Sequence, residues 1–585
     1  MKNRELFIKA DAAPKDPEAG RSCIYLLLDQ RLQGIRRADG EYRSEIYLND
    51  GRLLSKARVV GGLTDEQILS LLTTSSGFEK LVYRIGVTLT ADGTAAGSAD
   101  DSLAGSPEPA EFGLIFIAPR VGGAGRMIAC RCNVDGREYL LDIHGRSPSE
   151  SEEKPSNVQI PGQFFFRFER PETVVTATVR LILNEGYDVA DIAPDPDIEY
   201  ESPFYQELLA RSLLQTGDHH RLYRVLEKAK SGKPLTLAFI GGSITQGAGA
   251  VPVHSGSYGY LAYQDFIRRY GTCPGQCRFI KAGIGGTSSE LGLVRYGQDV
   301  EAESDGGPDL VVVEFAVNDL GDETAGRCHE SLIWRILTSA SGPAVIMLFS
   351  VRADDWNLEE RLSLIGKRYR LPMISMKAAL TGQESVTKRQ YFYDLFHPSN
   401  LGHRIMADCI GHLFQSVDAA AVFGERNRSD HDGLTGEAVY GRQYAAVRFF
   451  DRRQEAGIGI QAGGFCGIDR ALQMAERNED RHQTPQFPFN WMHEYGSGSE
   501  PLFLRISCRT LFILIKDSDE PEFGKAGFYV DGRLKETYDP LDVGWIHCNA
   551  RLLIDEPYAA VHEVQVMMAP GEERKRFTIL GFGVI

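Results

Sequence analysis

A serine, an aspartate and a histidine are the side chains of this sequence best suited to catalysis. Ser243 follows Gly241 and Gly242 at the end of the apolar run LTLAFI, and Asp394 and His397 lie three positions apart before an amphipathic segment. A serine hydroxyl is a weak nucleophile at neutral pH, so it needs an adjacent base, and histidine has the ordinary pKa that suits this role. A carboxylate can then fix the imidazole tautomer. Each residue also has a plainer interpretation, since Asp394 could cap a helix and His397 could be a surface imidazole.

Two other glycine-rich motifs do not fit the segment around Ser243. A phosphate-binding Walker loop needs Lys followed by Ser or Thr after its last glycine, and a dinucleotide-binding loop needs three glycines at fixed spacing. The glycines at 241, 242, 247 and 249 match neither pattern. Thr245 stands where the Gly-x-Ser-x-Gly elbow of α/β-hydrolases has its second glycine. A nucleophilic serine in a different kind of turn is the interpretation that is left.

The elements that must position these residues alternate between strand and helix. Buried strands are predicted at 235–240, 277–283, 309–317, 343–351 and 371–376, with amphipathic helices between them. This alternation is typical of a parallel sheet with helices on both faces. In such sheets ligands bind at the carboxyl ends of the strands, which is where the serine and the next two glycine- or asparagine-containing segments fall.

Four segments, taken in order, resemble the blocks of the SGNH hydrolases, also called the GDSL-type esterase and lipase superfamily. They are GGSIT (241–245), GIGGTSSE (283–290), AVND (316–319) and DLFHPSN (394–400). The resemblance covers about 235–417 and implies an α/β fold, a flavodoxin-like three-layer α/β/α core. It also implies a role for each matching residue: nucleophile Ser243, base His397, orienting Asp394, and an oxyanion hole formed by the N–H groups of Ser243 and Gly286 and the side chain of Asn318.

The sequence departs from the superfamily pattern at two positions. Gly242 replaces the usual aspartate before the serine, and Lys281 stands where the second block often has asparagine. Neither change removes a catalytic atom. The Gly-Gly-Ser-Ile-Thr form resembles carbohydrate-esterase branches more than lipases, so it bears on the substrate more than on the activity.

Two further residues are candidates for substrate binding. Asp319 follows Asn318 at a strand end, and Trp356 follows the apolar run 343–351, so both are predicted at the same edge of the sheet. A tryptophan there could stack on a sugar ring. The alternatives are a helix cap or a solvated carboxylate for Asp319 and a half-buried loop anchor for Trp356.

Composition excludes several classes of partner. The net charge of −16 argues against binding to nucleic acid or to an anionic membrane surface. The N-terminal segment lacks the apolar core of a signal peptide, and no apolar run is long enough to span a membrane. The ten cysteines are scattered without paired Cys-x-x-Cys motifs, so we expect free thiols in a reducing cytoplasm, no metal site and no cofactor.

The chain is too long for one domain and its pattern changes twice. Residues 1–200 are rich in short strand-like runs, which predicts a β-sandwich, and 201–234 reads as a helical connector. The catalytic domain follows at 235–417. A second β-sandwich, jelly-roll-like in form, is predicted at 418–585. The aromatic residues of this last part, among them Trp545, favour a sugar-binding role or a wall over the site, and the alternative is structural packing or a homo-oligomer surface.

The sequence therefore predicts a serine esterase that removes acetyl or other short acyl groups, from a carbohydrate or oligosaccharide ester, through an acyl-enzyme intermediate. One alternative is an esterase, thioesterase or acyltransferase that acts on lipid-like chains, which would need a long apolar groove. Another is a carbohydrate-binding protein without catalytic activity, although the intact serine, glycine, asparagine and histidine set argues against it.

Overall fold

The structure is a computed structural model of the 585-residue chain. The part of the chain that it describes comprises residues 8–13, 15–16, 19–36, 41–47, 68, 71–72, 75–91, 108–117, 126–143, 160–170, 173–189, 197–271, 275–319, 322–393, 396–422, 434–454, 459–477 and 484–585. Asp394 therefore lies outside the described residues.

The N-terminal part forms two five-stranded antiparallel sheets, in the strand orders β1-β2-β10-β5-β8 and β3-β4-β9-β6-β7. Alternate residues of β10, such as Val175, Ala177 and Val179, are buried in a core to which both sheets contribute. The period of two is what a strand with one buried face requires. The strands are β1 (Ile8–Ala13), β2 (Cys23–Gln33), β3 (Ile35–Arg36), β4 (Tyr42–Tyr47), β5 (Val82–Ala91), β6 (Pro109–Ile117), β7 (Met127–Asn133), β8 (Glu138–Asp142), β9 (Ile160–Phe168) and β10 (Val174–Leu183), with one helix at Ser75–Leu81.

The middle part is a six-stranded sheet in the order β11-β16-β15-β14-β12-β13. Five of its strands are parallel, and only the edge strand β11 is antiparallel. The parallel strands have the flavodoxin-like order 2-1-3-4-5, so the order reverses between β12 and β14, and a ligand crevice is expected there. The strands are β11 (Leu213–Gln215), β12 (Leu235–Gly241), β13 (Cys277–Gly283), β14 (Leu310–Glu314), β15 (Ala344–Phe349) and β16 (Met373–Ser375).

Helices cover both faces of this sheet. In β12, Leu237 and Phe239 face one core, whereas Ala238 and Ile240 face the other. The predicted three-layer α/β/α core is confirmed. The α-helices span Pro203–Ser212, His220–Lys230, Ser243–Gln246, Tyr258–Tyr270, Ser289–Tyr296, Arg327–Leu337, Glu359–Arg368, Met376–Leu380, Lys388–Tyr391 and Asn400–Val422, and a π-helical turn spans Gly297–Glu301.

The segment 201–234, predicted as a helical connector, differs from that description. Its helices pack on the central sheet, and β11 within it forms the edge strand of that sheet. A three-residue strand directly after a helix leaves no periodicity of its own in the sequence, which is why the pattern did not reveal it.

The C-terminal part is β-rich, as predicted. Its main sheet has the order β17-β26-β22-β25-β23-β24, with β18 added to β22 and β21 added to β26. Bulges in the long strand β22 interrupt its register with β25. The strands are β17 (Arg448–Phe450), β18 (Ile460–Gln461), β19 (Met474–Ala475), β20 (Thr484–Pro485), β21 (Trp491–His493), β22 (Leu502–Asp517), β23 (Ala526–Val530), β24 (Arg533–Tyr538), β25 (His547–Met568) and β26 (Phe577–Val584), with a 3-10 turn at Arg452–Gln454.

The central sheet and the C-terminal sheet share one hydrophobic core. Phe512, Leu514 and Leu580 from the C-terminal sheet are buried in the same cluster as Val311 and Val313 of β14. The two parts are therefore packed against each other as neighbouring layers. No helix among the described residues is long and apolar enough to cross a membrane.

Candidate active site

The serine is held in a tight turn at the end of β12. Gly241 ends the strand, and Ser243 begins the short helix Ser243–Gln246. A Cβ added at Gly241 would lie 2.8 Å from the Thr245 Cβ, so a side chain there would displace the helix. A Cβ added at Gly242 would lie 2.6 Å from Cγ and 2.8 Å from Nδ2 of Asn318. The two glycines therefore allow the serine helix to pack directly against the end of β14.

Ser243 and His397 are in hydrogen-bond contact. The His397 Nε2 atom lies 2.8 Å from the Ser243 Oγ, within the range expected for a nucleophile and its base. The backbone holds the histidine, because the Tyr393 N–H donates to the His397 carbonyl at 2.8 Å. Ser399 follows and accepts at its Oγ from the Gly402 N–H, which caps the helix Asn400–Val422. The orienting role of Asp394 stays a prediction.

The Asn318 side chain lies beside the serine turn with its amide unused. Its Oδ1 is buried and has no hydrogen-bond partner in the described part of the chain. Buried polar groups are nearly always paired, so an unpaired amide next to a nucleophile is available to a ligand. A donor in this position is what an oxyanion hole requires.

Gly286 is the third component at this edge. Its φ of +74° is in the left-handed region, which glycine adopts without strain. A Cβ added at the preceding Gly285 would lie 3.9 Å from the Cβ of Ser243, so this loop runs next to the serine. Ser243, Gly286, Asn318 and His397, predicted from four separate segments, thus lie around one point at the carboxyl ends of β12, β13 and β14.

Glu314 is hydrogen-bonded to the serine turn, a role that the sequence analysis missed. This carboxyl group at the end of β14 is fully buried and accepts from the Ser350 Oγ at 2.8 Å and from the Thr245 Oγ1 at 3.1 Å. The Gly242 backbone also hydrogen-bonds to it. Burial raises the pKa of Glu314 to about 7, although these hydrogen bonds partly oppose the shift. A carboxylate inside the apolar run DLVVVEFAV was the signal for this role.

Arg295 ties the ends of β12 and β13 together. Its guanidinium is completely buried and donates to the Gly241 carbonyl at 2.9 Å and to the Ala282 carbonyl at 2.8 Å. Asp299 lies 3.0 Å from the same guanidinium and compensates its charge. Because these strands carry Ser243 and the Gly286 loop, Arg295 helps to fix the distance between them.

Asp319 and Trp356 have different surroundings. Asp319 is buried, and its carboxylate accepts from the Ser289 N–H at 2.7 Å and contacts Nδ1 of His329 at 3.0 Å. Asp319 accepts from the first residue of the helix Ser289–Tyr296, which agrees with the helix-cap interpretation, and its contact with a substrate stays a prediction. Trp356 is half-buried, with the Arg352 guanidinium 5.3 Å from its ring centroid.

A row of side chains connects Trp356 to the histidine. Arg352 also lies over Phe396, 5.1 Å from that ring, and the Phe396 and His397 ring centroids are 6.1 Å apart. Two side chains thus stand between Trp356 and His397, and contact of Trp356 with a substrate stays a prediction.

The C-terminal domain also borders the candidate site, through contacts with the Gly286 loop and the serine helix. A Cβ added at Gly286 would lie 2.8 Å from the indole of Trp545 and 3.0 Å from Cδ2 of His547. The Gln473 Nε2 donates to the Gly285 carbonyl at 2.7 Å, and the Gln246 Nε2 donates to the Met474 carbonyl at 3.0 Å. The flanking domain is thus a wall of the candidate site, one of the two interpretations open from the sequence.

The comparisons with known proteins agree with this geometry. The profile of the GDSL-like Lipase/Acylhydrolase family matches residues 239–405, a range that includes Ser243, Gly286, Asn318 and His397. The middle domain is therefore a GDSL-like hydrolase domain of SGNH type, and the protein is an esterase-class enzyme. No curated protein matches the sequence.

Two solved structures are similar to most of the chain. One is a two-domain esterase (CEX) active on acetylated mannans, co-crystallised with mannopentaose: it is 23% identical, the match covers 64% of this chain and 97% of that one, and the TM-score is 0.53. The other is likewise a two-domain esterase (CEX) active on acetylated mannans: it is 23% identical, the match covers 64% of this chain and 98% of that one, and the TM-score is 0.52. These similarities establish the fold.

Proposed function

We propose that this protein is a serine esterase that removes acetyl or other short acyl groups from carbohydrates. The observation that carries the proposal is the 2.8 Å contact between Ser243 and His397, next to the unused amide of Asn318 and the Gly286 loop. These groups supply the nucleophile, the base and the donors that acyl transfer needs.

In the proposed reaction, the Ser243 Oγ attacks the ester carbonyl while His397 Nε2 takes its proton. The carbonyl oxygen becomes an oxyanion that accepts from the N–H groups of Ser243 and Gly286 and from the Asn318 amide. When the C–O bond breaks, His397 returns the proton to the departing sugar oxygen, which becomes a hydroxyl group, and the acyl group stays on Ser243. A water molecule then attacks the acyl carbon, His397 takes its proton, and the carboxylic acid departs as Ser243 recovers its hydrogen.

Two tryptophan side chains favour a carbohydrate as the alcohol part of the ester. Trp545 lies beside the Gly286 loop, and Trp356 is connected to His397 through Arg352 and Phe396. Indole rings are side chains that pack against sugar rings. The similar two-domain esterase is active on acetylated mannans, which makes an acetylated mannan a sensible first substrate.

A series of nitrophenyl esters of increasing acyl length, together with acetylated mannooligosaccharides, tests the proposal. We expect the wild type to prefer acetate and the Ser243→Ala and His397→Ala variants to lose at least about 10³-fold in kcat. Preference for long chains would instead favour the lipid-type alternative. A wild type that neither hydrolyses an ester nor reacts with a fluorophosphonate would contradict catalysis altogether.

We also propose that the protein acts in the cytoplasm. All nine cysteines within the described residues are free thiols, and six of them are buried. Free thiols are usual in a reducing compartment, which supports the cytoplasm as the site of action. Cell fractionation with an antibody to the protein tests this, and recovery outside the cytoplasmic fraction would contradict it.

A further inference from the structure

A second Asp–His pair lies at the candidate site and has no part in the reaction proposed above. It belongs to the C-terminal domain: His547 begins β25, and its Nδ1 lies 2.8 Å from the Asp517 Oδ2 at the end of β22. His547 as a whole residue is 8% exposed, and Asp517 is completely buried. The Cδ2 edge of the ring, next to Nε2, lies 3.0 Å from where a Cβ on Gly286 would be.

The hydrogen bonds of Asp517 define the tautomer of His547. The other carboxylate oxygen accepts from the Tyr538 hydroxyl at 2.5 Å, so Asp517 acts as an acceptor on both sides. Nδ1 of His547 must then carry a hydrogen, which leaves a lone pair on Nε2 of the neutral ring. That Nε2 is buried and has no partner among the residues the structure describes. A buried polar atom without a hydrogen-bond partner is rare in proteins, and a group of a bound ligand would supply the partner.

The position of His547 relative to the catalytic loop is fixed by Gln473. Its Nε2 donates to the Gly285 carbonyl at 2.7 Å, and its Oε1 accepts from the Cys548 N–H at 2.9 Å. One side chain therefore connects the residue before Gly286 to the residue after His547. The imidazole is held against the oxyanion-hole loop by a defined hydrogen-bond bridge.

The surroundings of Nε2 suit a sugar. The ring centroids of Trp545 and His547 are 4.8 Å apart, so the indole and the imidazole border the same space. A sugar ring that stacks on the indole brings its hydroxyl groups within reach of the imidazole edge. Those hydroxyls are donors, and Nε2 is an acceptor.

We propose that His547, oriented by Asp517, accepts a hydrogen bond from a hydroxyl group of the sugar that carries the acyl ester. This rests on the proposed function and adds a residue that selects the substrate, while the acyl transfer is left to Ser243 and His397. An ester whose alcohol part has no hydroxyl groups cannot use this contact. A site built to pair with a hydroxyl discriminates against analogues that lack one.

The test compares His547→Gln with the wild type on two substrates, an acetylated mannooligosaccharide and nitrophenyl acetate. We expect the ratio of kcat/KM between the sugar ester and nitrophenyl acetate to fall at least tenfold. Asp517→Asn provides a second variant: its amide can donate to Nδ1 and move the imidazole hydrogen to Nε2, so the same ratio should fall there too. Retained hydrolysis of nitrophenyl acetate shows that each variant is folded.

His562→Gln is the matched control. His562 also lies in β25, is buried, and pairs through Nδ1 with Asp531 at 2.9 Å, fifteen residues beyond His547. Its variant should leave the ratio unchanged. An unchanged ratio in His547→Gln, or an equal fall on both substrates, would overturn the proposal while the wild type still hydrolyses the sugar ester. A wild type inactive on the sugar ester but active on nitrophenyl acetate would refute the proposed substrate, and this proposal with it.

Discussion

Gln473 of the C-terminal domain donates from Nε2 to the carbonyl of Gly285 at 2.7 Å, 188 positions earlier in the chain. This hydrogen bond joins a β-rich flanking domain to the loop that carries a proposed oxyanion donor. The same glutamine accepts from Cys548 at the start of β25. The flanking domain is thus part of the structure on which the geometry of the active site depends.

The first prediction concerns this bridge. Replacing Gln473 with Leu keeps the side-chain volume but leaves the Gly285 carbonyl and the Cys548 N–H unpaired. Each unpaired buried group lowers the free energy of unfolding by about 1–3 kcal/mol. We expect a lower Tm and a fall of about tenfold in kcat on nitrophenyl acetate, because the Gly286 N–H is held less firmly. Gln461→Leu, at an exposed position of β18, should change neither value. A lower Tm with an unchanged kcat would mean that the loop keeps its geometry without Gln473.

Local patterns were sufficient to predict which residues of the middle domain lie together at the candidate site. Ser243, Gly286, Asn318 and His397 were found because each lies where a strand ends or a helix begins, and parallel strands end at one edge. Glu314 had a signal that was not used, a charge within an apolar strand.

The C-terminal contribution had no comparable signal. Gln473 and His547 reach the site only because two sheets pack on a shared core, and such a contact has no trace in the periodicity of either segment. Trp491 and His493, also in the C-terminal part, are instead buried in β21 of the C-terminal sheet. Residues of similar type thus lie at the site in one case and in the interior of the C-terminal sheet in the other, and only the tertiary structure distinguishes them.

The second prediction concerns Trp356. Its indole packs against Arg352, which also packs on Phe396 beside His397. If a sugar stacks on this indole, Trp356→Ala should lower kcat/KM on an acetylated oligosaccharide about tenfold, mainly through KM, with little effect on nitrophenyl acetate. Phe489→Ala is the control, because Phe489 is an exposed ring that packs in the same way on Arg453 at 4.5 Å. Equal losses on both substrates would indicate a structural anchor instead.

The third prediction concerns Gly242, where the superfamily usually has aspartate. An added Cβ would lie 2.6 Å from Cγ of Asn318, so Gly242→Ala must displace that amide from the serine. We expect kcat to fall about 10²-fold, the cost of losing one oxyanion donor, with a smaller change in KM. The kcat of Gly242→Asp should be no higher than that of Gly242→Ala, because the larger aspartate side chain meets the same amide.

A double-mutant cycle identifies the cause. In an Asn318→Ala background, Gly242→Ala should cost little more, because the amide that it displaces is already gone. Gly411→Ala in the helix Asn400–Val422 is the matched control: nothing lies within 4 Å of its added Cβ, and alanine is the better helix former. Additive losses at Gly242 and Asn318 would show that the two residues act separately.

The last prediction concerns the pH dependence of stability. Burial raises the pKa of Glu314 to about 7, so between about pH 4.5 and 7 the folded protein keeps a proton that the unfolded chain has lost. The wild-type free energy of unfolding should therefore fall through this window by up to about 1.4 kcal/mol per pH unit from this group. The glutamine of Glu314→Gln does not titrate, so its free energy of unfolding should not show this fall. In urea titrations, the difference between the free energy of unfolding of the variant and that of the wild type should therefore rise from pH 4.5 to 7. Ser350→Ala removes one hydrogen bond but keeps the carboxyl, so the fall with pH should persist in that variant. Parallel curves for Glu314→Gln and the wild type would show that Glu314 is ionised throughout this range, and the serine turn would then rest on a permanent negative charge.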